Sequence, residues 1–240
     1  MPIPREILVG QLKDGLRRFY RQHGRDFPWR PYVTGSFGTL VAEMLLRQTK
    51  ADQVAEVWPM LMDRFPNPKA LANADSEELY KMVVGLGLGR QRAKALHEVS
   101  AVLVKNHRGR VPKSIEKLLA LPHVGLYTAH ATACFAFGQR VPVVDANVMR
   151  VLGRLFGEKL GPDNRRSPRA WELATEILPA IGSAKEHNYG LLDFSALICT
   201  SGKPLCRECP FNGGCMWCYE HVWSKVDFST RPPNPPPWPR

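Results

Sequence analysis

The sequence predicts an all-α protein. Three observations carry that reading: apolar residues recur at three- and four-residue spacing through most of the chain, no alternating run is long enough for a convincing strand, and helix start and stop signals bound the periodic segments. From Phe37 to Thr49, Leu40, Val41, Met44, Leu45 and Gln48 share one helical face. Asp75 with Glu78 reads as a capping box for a helix running through Val84, and Gly85, Gly87 and Gly89 mark its end. Helices are also expected over Arg92 to Asn106 and Ser114 to Leu121, and Ser167-Pro168 opens a further one with proline in its first turn. No internal repeat is present, and the low-complexity tail RPPNPPPWPR predicts an extended, disordered end.

Composition narrows the function. At 44% hydrophobic and 23% charged, the 240 residues match a globular average, which excludes fibrous and wholly disordered classes. Thirty-three Lys and Arg face 22 Asp and Glu, a net charge of +11 that points to an anionic partner, most often nucleic acid. The longest uncharged stretch, Leu118 to Gln139, contains Pro122, His123, Gly125 and His130 and so does not read as a membrane span. The N-terminus mixes acids and bases without a signal-peptide core, which predicts an intracellular protein.

Five of the six cysteines fall in the last fifth of the chain: Cys199, Cys206, Cys209, Cys215 and Cys218. Three disulfides would require an oxidising compartment, whereas clustered thiols in a reducing cell read as metal ligands. The last four make two Cys-x-x-Cys pairs five residues apart, as a zinc site would, though with an unusually short connection. The first four are separated by six, two and five residues, leaving Cys218 spare. Cys134, in an apolar helical run, reads as a small core residue.

The second spacing resembles, at every interval, the 4Fe-4S loop of the endonuclease III and MutY group of helix-hairpin-helix DNA glycosylases. LPHVGLYTAHA, residues 121 to 131, is similar to the hairpin pattern LPGVGxxTA of the same superfamily, and VDANVMR follows it in the superfamily's order. Physically, a glycine-bearing hairpin that opens a helix lets backbone N–H groups approach a DNA phosphate. His123 stands where the pattern has its first glycine, so the hairpin is expected to relax its geometry or to use His123 on phosphate. The resemblance covers roughly residues 20 to 219. It implies two interlocked helical domains with a DNA-binding cleft between them. These are a six-helix barrel-like domain over 29–137, and an iron-sulfur cluster domain formed by the N-terminal helix of 1–28 with 138–225, followed by a tail at 226–240. It further implies a 4Fe-4S cluster on Cys199, Cys206, Cys209 and Cys215. The expected partner is double-stranded DNA carrying a mismatched or damaged base, bound by a monomer in the cytoplasm at the nucleoid, with no membrane involved.

Base removal resembles glycoside hydrolysis, because the sugar becomes oxocarbenium-like as the base leaves. Asp145 matches the superfamily aspartate that stabilises this cation; a helix N-cap is its structural alternative, and the two roles are compatible. The resemblance sends Glu43 into the base pocket, against the alternative of a solvent-facing glutamate paired with Arg47. Tyr127 stands where lyase-competent relatives carry a Schiff-base lysine, which implies a monofunctional hydrolase with Tyr127 lining the nucleotide pocket. Asn147 would orient water or sugar. A flipped base leaves a hole to be filled. Gln48 and Leu88 match the residues that fill it, with Arg47 beside them, although the Gly-Leu repeat of 85 to 89 permits two registers. His123, Val124, Gly125 and Thr128 complete the expected DNA contacts.

MutY-type enzymes normally carry a further C-terminal domain, and only 22 residues follow Cys218, so that domain is expected to be absent. LLRQT, VDANVMR and GLLDFSALIC look closer to the archaeal-type thymine mismatch glycosylases. The expectation is therefore removal of thymine or uracil opposite guanine, with MutY-like adenine removal as the alternative. A non-catalytic DNA-binding protein is a further alternative, disfavoured by the presence of both Glu43 and Asp145. A zinc-binding transcription factor lacks an evident recognition helix.

Overall fold

The computed structural model describes residues 2–31, 34–160 and 167–225; the tail at 226–240 lies outside the described residues. Twelve α-helices and no strand occur among them. They are α1 (Arg5–His23), α2 (Gly35–Leu45), α3 (Ala51–Arg64), α4 (Pro68–Ala72), α5 (Ser76–Val83), α6 (Gly89–His107), α7 (Ile115–Leu119), α8 (Leu126–Phe137), α9 (Ala146–Phe156), α10 (Pro168–Glu176), α11 (Ala184–Leu197) and α12 (Met216–His221). Contacts divide the chain into two compact units, one of Met1–Arg25 with Arg140–Arg240 and one of Asp26–Gln139.

In the first unit, Leu8, Leu12, Leu16 and Phe19 of α1 pack into a core with Val148 and Leu152 of α9, Leu173 of α10 and Phe194 of α11. The approach of α1 to α11 is close: a Cβ on Gly190 would stand 2.1 Å from the Leu16 carbonyl oxygen, so only glycine fits there. Asp193, fully buried on α11, accepts from the backbone N–H of Arg25 at 3.0 Å and its Nε at 2.8 Å. Cys209, Cys215 and Cys218 belong to the same core.

In the second unit, α2 is buried from Phe37 to Leu45, and Trp58 of α3 donates its indole N–H to the Gly38 carbonyl at 3.0 Å. Cys134 is fully buried on α8. Several local expectations hold: Asp75 accepts from the N–H groups of Glu77 and Glu78, Ser114 caps α7, and Ser167-Pro168 opens α10.

Three expectations change. The helix from Phe37 does not reach Thr49 but ends at Leu45, because the carbonyls of Leu45 and Arg47 bond the Arg92 guanidinium and Gln48 takes a left-handed conformation with φ 56°. Gln48 is therefore not on the apolar helical face. The capping box at Asp75 is half closed, since the Glu78 carboxylate turns to Arg64 at 2.5 and 3.0 Å. Gly89 opens α6 rather than ending α5; a Cβ there would lie 2.8 Å from the Val84 Cα.

Candidate active site and nucleic-acid interface

Glu43 sits in the last turn of α2 and is 2% exposed. The alternative of a solvent-facing Glu43 paired with Arg47 does not hold, because the exposed Arg47 donates instead to the His123 carbonyl at 3.1 Å. Burying a carboxylate costs free energy unless hydrogen bonds or an opposite charge compensate it.

Just beyond α2, backbone strain gathers. Gln48 (φ 56°), Leu88 (φ 53°) and His123 (φ 61°) are three of the four described non-glycine residues with positive φ. This conformation costs a non-glycine residue roughly 1–2 kcal/mol. All three line one surface pocket, with Arg47 and Arg92 beside them. Of the two leucines in the Gly-Leu repeat, Leu86 is buried and Leu88 is 56% exposed. An exposed, strained leucine contributes little to the core, so its register is that of a residue aimed outward.

The hairpin histidine takes a backbone conformation that favours glycine. His123 adopts the left-handed state itself, held by its Nε2 at 2.5 Å from Glu98 Oε2 of α6 and by the Arg47 bond to its carbonyl. This His123 bond, ahead of nearby lysine and histidine charges, lowers the Glu98 pKa. Gly125 is extended at the N-cap of α8, and half-buried Tyr127 and buried Thr128 lie in that helix's first turn. Val124 and Thr128 have buried side chains, and the Val124 N–H already donates to the Leu121 carbonyl at 3.3 Å.

In the first unit, Asp145 is the N-cap of α9. Its Oδ1 accepts from the Val148 N–H at 2.7 Å and its Oδ2 from Asn147 Nδ2 at 3.0 Å. Asn147 Oδ1 in turn accepts from Arg150 Nη1 at 2.7 Å. Arg150 reaches onward to the carbonyls of Cys199 (3.2 and 3.1 Å) and Ser195 (2.9 Å). One hydrogen-bonded chain thus runs from the carboxylate to the first residue of the cysteine loop. Burial lowers the Arg150 pKa.

Cys199, Cys206, Cys209, Cys215 and Cys218 all line one apolar pocket, with Arg154 beside it. Arg154 donates to Cys199 Sγ at 3.5 Å and to the Thr200 carbonyl at 2.6 Å, and its own carbonyl accepts from Cys215 Sγ at 3.3 Å. Burial pushes the Cys206 thiol up, Cys209 well up, Cys215 to about 11 and Cys218 to about 12. Such thiols become thiolates when a cation takes the protons' place, which is what a metal-ligand set needs. Among the described residues no three such side chains meet the geometry of a bound metal ion. Five thiols around one apolar pocket are nonetheless the donor type that an iron-sulfur group takes.

Arg92, Arg150 and Glu98 were not singled out by the sequence. Arg150 carries a signal, standing one helical turn after Asn147 on α9, whereas Arg92 and Glu98 look like ordinary surface charges of α6.

Residues 41–175 match the family profile described as HhH-GPD superfamily base excision DNA repair protein. The chain is 41% identical over 212 residues to the thymine-DNA glycosylase of Aeropyrum pernix, spanning 87% of this chain and 95% of that one. It is 37% identical over 222 residues to the adenine DNA glycosylase of Mycobacterium tuberculosis, spanning 92% of this chain and 69% of that one. Among solved structures, a thermostable thymine-DNA glycosylase superposes with a TM-score of 0.83 at 33% identity, over 90% of this chain and 98% of the other.

Proposed function

Since this chain belongs to the HhH-GPD superfamily of base excision DNA repair proteins, we propose that it is a monofunctional DNA glycosylase that hydrolyses the N-glycosidic bond of thymine or uracil opposite guanine. The observation that carries the reading is Asp145: a carboxylate held by two donors at the mouth of α9, in a chain 41% identical to a thymine-DNA glycosylase across 95% of that protein.

In this reading the C1′–N bond breaks with its electron pair leaving on the base. The Asp145 carboxylate stabilises the sugar cation, and Asn147 keeps that carboxylate turned. Water adds its oxygen to C1′ and gives up a proton to solvent, while the departing base anion takes one up, so that the sugar hydroxyl and the free base are the products. Glu43, buried from water in α2, hydrogen-bonds the extruded base. Tyr127 lines the pocket and offers no amine, so strand cleavage does not follow. Gln48 and Leu88 fill the vacated stack, while the α8 hairpin amides and Arg47 hold the backbone. Cys199, Cys206, Cys209 and Cys215 would hold a 4Fe-4S cluster, which when bound ties the loop through iron-thiolate bonds. Among the described residues no helix is long and apolar enough to cross a membrane.

The test is incubation with duplexes carrying G·T, G·U, A·G or A·8-oxoguanine, followed by alkali to reveal abasic sites. Cleavage confined to the G·T and G·U strands is expected. The 37% identity to an adenine glycosylase makes A·G and A·8-oxoguanine the second reading, and cleavage only there would replace the first.

A further inference from the structure

Arg92 is 8% exposed, yet among the described residues its guanidinium meets only carbonyl and hydroxyl oxygens, not a carboxylate. Its Nε donates to the Gly87 carbonyl at 2.7 Å, and its Nη1 to Leu45 at 2.9 Å. Its Nη2 is shared among the Arg47 carbonyl at 2.8 Å, Thr49 Oγ1 at 2.5 Å and, more distantly, the Leu86 carbonyl at 3.4 Å. Two segments are tied to one side chain. One is 45–49, which carries Gln48; the other is 86–88, which carries Leu88. The Thr49 hydroxyl has its one proton within reach of the Arg47 carbonyl at 3.3 Å and of the Leu86 carbonyl at 3.4 Å.

Both segments contain a strained residue that a free loop would relax. Gln48 and Leu88 have φ of 56° and 53°, and strain of this kind persists only where the surroundings over-determine it. Burying a guanidinium without a counter-charge also costs free energy, and burial, with Arg47 nearby, lowers its pKa. Surface loops rarely carry both costs unless their geometry is used.

We propose that Arg92 is a positioning residue that holds Gln48 and Leu88 together as one preformed wedge, set before DNA arrives, so that the two enter the duplex as a unit. The planar fork is required for this. A lysine ammonium is a point donor on a flexible stem and cannot span acceptors on both segments. The inference rests on the base-extrusion reading of the proposed function, but it concerns unstacking, which is measurable apart from base release.

The experiment places 2-aminopurine beside a G·T mismatch and records its fluorescence at saturating protein, with duplex affinity and thermal unfolding measured in parallel. Wild-type protein should raise the fluorescence. Arg92→Lys should lose most of that rise and slow single-turnover base release about 100-fold, as small misplacements do, while affinity for undamaged duplex and cooperative unfolding persist. Leu88→Ala should show a similar loss, and the double variant should be no worse than the more affected single one. Thr49→Val, which removes one acceptor and leaves the backbone intact, should lower the fluorescence rise in the same direction by about threefold and serves if Arg92→Lys does not fold. Full fluorescence from Arg92→Lys, full fluorescence from Thr49→Val, losses that multiply in the double variant, or a wild-type protein that leaves 2-aminopurine stacked would each overturn the proposal. Unstacking without base release from any duplex would leave it standing and overturn the glycosylase reading instead.

Discussion

Replacing Asp145 by Asn separates capping from catalysis, because asparagine caps a helix about as well as aspartate. The Oδ1 bond to the Val148 N–H, 2.7 Å, is retained. What changes is the other oxygen, which becomes an amide facing the Asn147 Nδ2 donor 3.0 Å away. Asn147 cannot turn to accommodate it, since its Oδ1 already accepts from Arg150 at 2.7 Å and a flip would set two donors against each other there. Asn147 is exposed, so water relieves the mismatch and the stability cost is about 1 kcal/mol, or roughly 2–4 °C in melting temperature. The catalytic cost is larger. A carboxylate about 4 Å from a developing cation in a medium of intermediate dielectric is worth about 4 kcal/mol, close to a thousandfold in rate. Single-turnover base release from a G·T duplex should therefore fall by about three powers of ten while mismatch binding stays within a few-fold. Weakened binding or a melting loss above about 10 °C, with an unchanged single-turnover rate, would return Asp145 to a purely structural role.

Anaerobically purified protein should be yellow-brown and contain iron; Cys199→Ser should lose iron and solubility together, Cys218→Ser should keep both, and the reverse ranking with stoichiometric zinc would support the zinc reading. Wild-type protein should leave the abasic strand intact until alkali is added and give no borohydride-trapped adduct, whereas Tyr127→Lys should yield a trappable complex; efficient trapping by the wild type would show another amine at work. His187 is buried on α11 and its pKa is pushed down to about 4, first by desolvation. Its folded pKa lies below the unfolded value near 6.5, so the unfolded chain binds more protons between pH 6.5 and 4 and stability is lost as pH falls through that window, by up to about 3 kcal/mol. Urea titrations should show that slope in wild type and a flatter one in His187→Gln; an equal slope in both would remove His187 as its cause.

Much of this protein is written in short-range chemistry. The caps at Asp75, Ser114 and Asp145 each close within three residues, so their helix starts are legible from neighbouring letters alone. The cysteine intervals, the hairpin before α8 and the Asp145 segment are likewise local patterns, and together they determined the superfamily. What the letters left open depended on partners far along the chain. Helical periodicity placed Gln48 on the face of α2, and only the Arg92 bonds to the Leu45 and Arg47 carbonyls, 47 and 45 residues distant, end that helix early. Whether Leu86 or Leu88 is the outward leucine has no local answer, since both follow a glycine; packing buries one and exposes the other. Glu43 matches a surface i, i+4 pair as readily as a pocket carboxylate until its helix is buried on every side. The hairpin histidine, read as a departure, is stabilised in a glycine conformation by Glu98, 25 residues earlier. Hydrogen bonds and burial that join distant segments leave no periodic trace, and so the candidate residues, apart from Arg92, Arg150 and Glu98, came from the sequence, while their conformation and connection came from the tertiary structure.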